Sequence, residues 1–112
     1  MIKLKRVYDI PTKDDGFRIL VDRLWPRGLS KDKARIDLWL KEMSPGDGLR
    51  KWFHHEEGQW KEFKDRYFRE LDDKKELIQF IVNKVKAEPV TLLFGAKNKD
   101  LNNAMALYEY IE

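Results

Sequence analysis

Val90-Thr91-Leu92-Leu93-Phe94 is uncharged in a chain where 38% of the side chains are ionised. The segment is short and β-rich, which predicts a strand buried on both faces. Before it, Leu77, Ile78, Ile81, Val82 and Val85 form an apolar stripe, so a helix runs to about Ala87 and Pro89 stops it. A helix that feeds an interior strand is half of a parallel crossover. Working outward, Ile2 to Asp9 reads as a first strand, Pro11 to Gly16 (PTKDDG) as a loop, and Phe17 to about Leu24 as a second strand centred on Ile19-Leu20-Val21. Interior strands alternating with amphipathic helices predict a small α/β fold, a largely parallel β-sheet covered by helices. Periodicity alone does not fix the strand order.

The remaining elements follow from local chemistry. Ser30 is placed to cap a short helix through about Arg35, with Asp32 in its electropositive first turn. Ile36 to Met43 fits both periods: Ile36, Leu38 and Leu40 alternate, whereas Ile36, Trp39, Leu40 and Met43 recur helically. The alternating reading is preferred, as a strand or extended segment. Ser44 to Gly48 (SPGDG) breaks regular structure, and Leu49 to His55 forms a short helix that turns Trp52 and Phe53 inward. Trp60, Phe63, Tyr67 and Leu71 line one helical face. Lys61 and Asp65, Glu62 and Arg66, Asp65 and Arg69, and Arg66 and Glu70 stand as i,i+4 opposites on the rest of that helix. After a loop over Gly95 to Asp100, a last helix turns Leu101, Ala104, Met105, Tyr108 and Ile111 inward.

A chain of 112 residues predicts one domain over residues 1–112. No apolar run approaches the ~20 residues of a membrane helix, and the N-terminus lacks a secretory pattern, so no membrane partner and a cytoplasmic location are expected. The chain has no cysteine, which removes disulfides, thiolate catalysis and cysteine-ligated metal centres. The net charge is only +3, but the first 56 residues hold 13 basic and 9 acidic side chains. The positive bias therefore belongs to the half that carries Trp25-Pro26-Arg27-Gly28.

In parallel α/β sheets, ligands bind outside the carboxyl ends of the strands. That rule points to Asp9, to Asp22 through Arg27, and to Gly95 through Asn98. Arg23 and Arg27 suit carboxylate or phosphate, Trp25 offers a stacking wall, and Pro26 and Gly28 make a turn there. The alternative is that Arg23 pairs internally with Asp22, Asp9 or a helix carboxylate and that Trp25 only packs. Lys97 and Asn98 follow a strand where free amides attract anions. His54 and His55 are the only imidazoles. Neighbouring histidines without a third ligand make a poor metal site, so no metal is expected, and His55 is the candidate proton carrier. No glycine-rich nucleotide loop, G-x-S-x-G elbow or Ser-His-Asp spacing is present, and no cofactor is expected.

LVDRLWPRGLSKDKA, KWFHH, WKEFKDRYFREL and VTLLFGAKNKDLNNA together resemble the short YeaO-like branch of the domain-of-unknown-function 488 (DUF488) family, over nearly the whole length. The resemblance implies a small prokaryotic α/β domain and brings no activity with it. Relatives tend to read W-F-G-H, which puts His55 rather than His54 at the usual histidine position. They often carry a second histidine where this chain has Leu101, and longer branches place a cysteine and a histidine around that helix start. A scheme that needs both histidines is weakened here.

Three functions follow as expectations. The first is a pocket for a small anionic ligand, open to an enzymatic role, with Arg23, Arg27, Lys97 and Asn98 as holders, Trp25 as a wall and His55 as proton carrier. The second is a nucleic-acid-binding module, suggested by the basic first half but lacking any RRM or KH signature. The third is a protein-interaction or self-associating domain that uses Tyr108, Tyr110 or Phe68; the oligomeric state is not legible.

Overall fold

The structure is a computed structural model and describes residues 1–112. Four strands form one sheet: β1 (Ile2–Arg6), β2 (Phe17–Leu20), β3 (Leu38–Trp39) and β4 (Val90–Phe94), in the order β1-β4-β2-β3. All three pairings are parallel. Val90 is matched to Ile2 on one side and to Phe17 on the other, so β4 is central. Every residue of β4 is buried, as its uncharged sequence requires.

Five α-helices surround the sheet: α1 (Lys31–Ala34), α2 (Asp47–Trp52), α3 (Glu57–Asp72), α4 (Lys75–Ala87) and α5 (Asn103–Ile111). One sheet face, presenting Ile19, Val21, Val90, Leu92 and Phe94, packs with Phe63, Tyr67, Leu71, Ile81, Ala104 and Leu107 in a core of 16 buried residues. The opposite face is thinner. There Val7, Leu20 and Leu93 are covered by Trp25, Leu29 and Ile36 from the connection that includes α1 and by Trp39 of β3.

Several boundaries differ from the sequence reading. β1 ends at Arg6, since a turn bonds the Asp9 amide to the Arg6 carbonyl at 3.0 Å. β2 ends at Leu20, although Val21 still donates to Leu93 at 3.2 Å before the chain turns away at Asp22. The ambiguous segment 36–43 is both things in succession, β3 and then a 3₁₀ turn over Lys41–Met43. β2 has so little edge left before Asp22 that only Leu38 and Trp39 pair with it. The SPGDG break is shorter than expected, because α2 already begins at Asp47 and ends at Trp52, leaving both histidines outside it.

Ser30 caps α1 as expected, accepting from the Lys33 amide at 3.2 Å. α5 starts two residues later than expected, because Asn102 is its cap and accepts from the Met105 amide at 2.8 Å. Its buried residues are Ala104, Ala106 and Leu107, so Met105 and Tyr108 are only half-buried. On α3, Lys61–Asp65 and Glu62–Arg66 form ion pairs at 3.0 and 3.5 Å. The other two opposites do not: Arg69 reaches the Asp65 carbonyl, and Glu70 accepts from the Gly46 amide at 2.8 Å.

Two contacts set the ground on which the site stands. The buried Tyr67 hydroxyl donates to the Met43 carbonyl at 2.5 Å, which ties the 3₁₀ turn and the following Ser44-Pro45 to α3. Gly16 enters β2 at φ +64°, and a Cβ there would lie 2.2 Å from the Pro89 carbonyl oxygen, so glycine is required where β2 meets β4.

Candidate functional site

A cavity of about 230 Å³ opens where β2 and β4 end, lined by Asp22, Arg23, Leu24, Ser44, Pro45, Arg50, Phe53, His55, Phe63, Ala96 and Asn103. Each side chain arrives there for a local reason. Asp22 and Arg23 follow β2 directly, and Ala96 follows β4. Arg50 and Phe53 are three residues apart across the end of α2, so they face the same way. Phe63 is buried on α3 and stacks on Phe53 with ring centroids 4.1 Å apart. Asn103 opens α5.

Asp22 is the most heavily held member. Its Oδ2 accepts from the Gly95 amide at 2.8 Å, and its Oδ1 accepts from Asn103 Nδ2 at 3.1 Å. The same Asn103 amide also donates to the Val21 carbonyl at 3.1 Å, which locks α5 to the end of β2. Burial pushes the Asp22 carboxyl above its ordinary range, against the Gly95 amide, Asn103, His55 and Arg50, all of which favour the charged form.

His55 sits at φ +59°, a left-handed backbone that costs a β-carbon residue about 1–2 kcal/mol. It is fastened on both sides. Nδ1 bonds the Leu101 carbonyl at 2.7 Å, and the His55 carbonyl accepts from Asn98 Nδ2 at 3.4 Å. A carbonyl only accepts, so Nδ1 carries the proton and Nε2 is the free ring nitrogen. The imidazole lies 4.8 Å from the Phe53 ring. Arg50 donates from Nη2 to Asp47 at 2.7 Å, while its Nε is buried without an acceptor.

Of the residues singled out in the sequence as ligand-binding or catalytic, the fold brings Arg23 and His55 to this cavity and leaves Trp25, Arg27, Lys97 and Asn98 outside its lining. Arg23 is exposed and joins no ion pair, so the internal pairing weighed for it does not form. Trp25 lies on the opposite face of the sheet, donates to the Leu29 carbonyl at 2.7 Å and meets Trp39 edge-on at 5.4 Å. Arg27 is exposed, and its carbonyl accepts from the Tyr8 hydroxyl at 3.1 Å. Lys97 is exposed outside the lining. Asn98 also lies outside it: its Oδ1 accepts from the Asp100 and Leu101 amides, both at 2.9 Å, so it shapes the loop that holds His55.

Arg50 and Asn103 were not singled out from the sequence. The signal for Arg50 was its i,i+3 spacing from Phe53 on a short helix just before the histidines. Asn103 offered only its place beside an expected helix start. Among the other aspartates at strand ends, Asp37 is spent on the Arg18 amide at 2.9 Å and does not join Asp22. Nowhere do three or more His, Asp or Glu side chains gather in a way that could hold a metal ion. No helix is long and apolar enough to cross a membrane.

Comparison with known proteins finds relatives of the chain's sequence. A family model described as "Inactive DUF488-N3 subclade" matches residues 1–112. The uncharacterized protein YeaO of Escherichia coli K12 is 42% identical over 110 residues, which is 98% of this chain and 96% of YeaO. The uncharacterized protein Rv3073c of Mycobacterium tuberculosis H37Rv is 44% identical over 72 residues, 64% of this chain and 61% of that protein. No solved structure matches. The whole-chain match to the family model and the near-complete overlap with YeaO show that this chain belongs to the YeaO-like branch of the DUF488 family.

Proposed function

We propose that the chain binds a small anionic ligand in the cavity at the carboxyl ends of β2 and β4, as a cytoplasmic binding protein. The observation that carries this reading is that Arg23, which follows β2, and Arg50 and His55, from α2 and the residues after it, line one cavity against a single carboxylate, Asp22. Arg50 strengthens it. Nε is buried without an acceptor and Nη1 makes no hydrogen bond within the chain, so the guanidinium keeps Nη1 to offer an oxyanion in the cavity. The apolar wall of Phe53, Phe63, Leu24 and Ala96 fits the body of a small organic anion better than bare water.

Nε2 of His55 is free to donate to such an anion when protonated, or to carry a proton. The description of the matching subclade as inactive favours binding without turnover. The test is an NMR titration of the full chain with inorganic phosphate and with benzoate. Saturable shifts at the Arg50 side chain, His55 and Asn103 are expected, and Arg50→Gln should weaken them about tenfold, the scale of one hydrogen bond to a charged group. Saturable binding that leaves these residues unmoved, or none at all, overturns the reading.

A further inference from the structure

The cavity is amphoteric, and that narrows what it can hold. An ionised carboxylate is acceptor-only and offers about four lone-pair positions. Asp22 uses two of them, on the Gly95 amide and on Asn103, and no other donor of the chain reaches it. A plain anion seated on Arg50 and His55 would leave the remaining Asp22 positions without donors and would set its own charge near a second negative one. In a recess walled by Phe53 and Phe63 such repulsion is poorly screened. A donor carried on the ligand next to its carboxylate removes both penalties.

Resting on the anion-binding reading above, we propose that the cavity selects carboxylates that carry a hydroxyl or ammonium group on the adjacent carbon and an apolar side chain. The carboxylate faces Arg50 and His55, the donor goes to Asp22, and the side chain lies along Phe53 and Phe63. Asp22 is then the specificity-determining residue and the arginines supply affinity. This also explains why a carboxylate stands in an otherwise cationic site: it discriminates through unpaired acceptors rather than through attraction.

The experiment compares three probes of nearly equal size on the full wild-type chain by calorimetry: 3-phenyllactate, L-phenylalanine and 3-phenylpropanoate, with inorganic phosphate alongside. The first two should bind at least about tenfold more tightly than 3-phenylpropanoate, which lacks only the donor. In Asp22→Ala, checked for folding by circular dichroism, that preference should fall to about one, through tighter binding of 3-phenylpropanoate or weaker binding of the other two. Equal affinities for all three probes in the wild type overturn the inference and leave the anion site standing. Binding of phosphate but of none of the carboxylates overturns the ligand class alone. No binding of any of the four removes both this inference and the reading it rests on.

Discussion

The two ends of β2 each carry an aspartate and an arginine, and the two pairs are built to opposite purposes. At the entry, Asp15 and Arg18 are only 1% and 4% exposed and face each other at 2.5 Å. Asp15 also accepts from the Thr12 amide and hydroxyl, both at 3.0 Å, and from Lys5 at 3.1 Å. Arg18 spends its other donors on the Ala34 and Arg35 carbonyls, both at 2.9 Å. Every side-chain nitrogen and oxygen of the pair has at least one partner. At the exit, Asp22 and Arg23 do not pair, Arg23 is exposed, and the neighbouring Arg50 keeps one buried N–H without an acceptor. The same residue types thus give a closed structural latch where every side-chain nitrogen and oxygen has a partner, and an open recess where one does not. Charge alone marks neither; satisfaction of hydrogen-bonding capacity separates them.

The sharpest way to break this contrast is Arg18→Ala. It removes one of the two cations paired with the buried Asp15 and strands the Ala34 and Arg35 carbonyls, and should cost about 3 kcal/mol of stability in chemical denaturation. A loss below about 1 kcal/mol would mean that the latch is not closed. The next test is acid. Burial raises the Asp15 carboxyl, but the Thr12 amide, Lys5, the Thr12 hydroxyl and Arg18 together bring it down to about 2. A folded pKa below the unfolded one adds stability above about pH 4, and that stability fades as pH falls towards 2. The loss should be about 2 kcal/mol, seen as a lowered denaturation midpoint. Asp15→Asn should flatten this dependence, from an already destabilised starting point.

At the open end, Arg50→Gln should change stability by less than about 1 kcal/mol, since its one ion pair is exposed, while weakening benzoate or phosphate binding about tenfold. A stability loss as large as that of Arg18→Ala would erase the distinction. The smallest expected effect is that of Asp22→Asn, which should leave stability at pH 7 within about 1 kcal/mol. Its sign with pH is the reverse of that for Asp15. A folded pKa raised above the unfolded one means the folded chain holds this proton more tightly, so the Asp22 contribution weakens as pH rises through its raised range. Stability curves of the two Asp→Asn variants, each compared with the wild type, should therefore diverge in opposite directions over acid pH.

The two clusters were unequally legible. Asp22 and Arg23 stand out because charge beside a β-rich run marks a strand end. Arg18 did not, because a strand arginine reads as solvent-facing until Ala34 and Arg35 are known to lie over it. Trp25 looked like a wall of the site from its place beside Arg23 and Arg27, yet it faces away: the turn after Asp22 carries the chain over to the thinner sheet face, where Trp25 meets Trp39. Phe68 and Tyr110, read as spare aromatic surface, meet each other edge-on at 5.2 Å, and the Tyr110 hydroxyl donates to Asp72 at 2.6 Å.

By itself the sequence determined the α/β class with a largely parallel sheet, the interior strand Val90–Phe94, the apolar face of α3 and which polar residues follow the strands. These rest on periodicity and on strand-end chemistry, which are local. Only the tertiary structure decided the order β1-β4-β2-β3, the latch between Asp15 and Arg18, and the meeting of Arg23, Arg50, His55 and Asn103 around Asp22. Those depend on which segments lie side by side after folding, through contacts between residues as far apart in the chain as Asp22 and Asn103, and no local pattern of side chains carries that information.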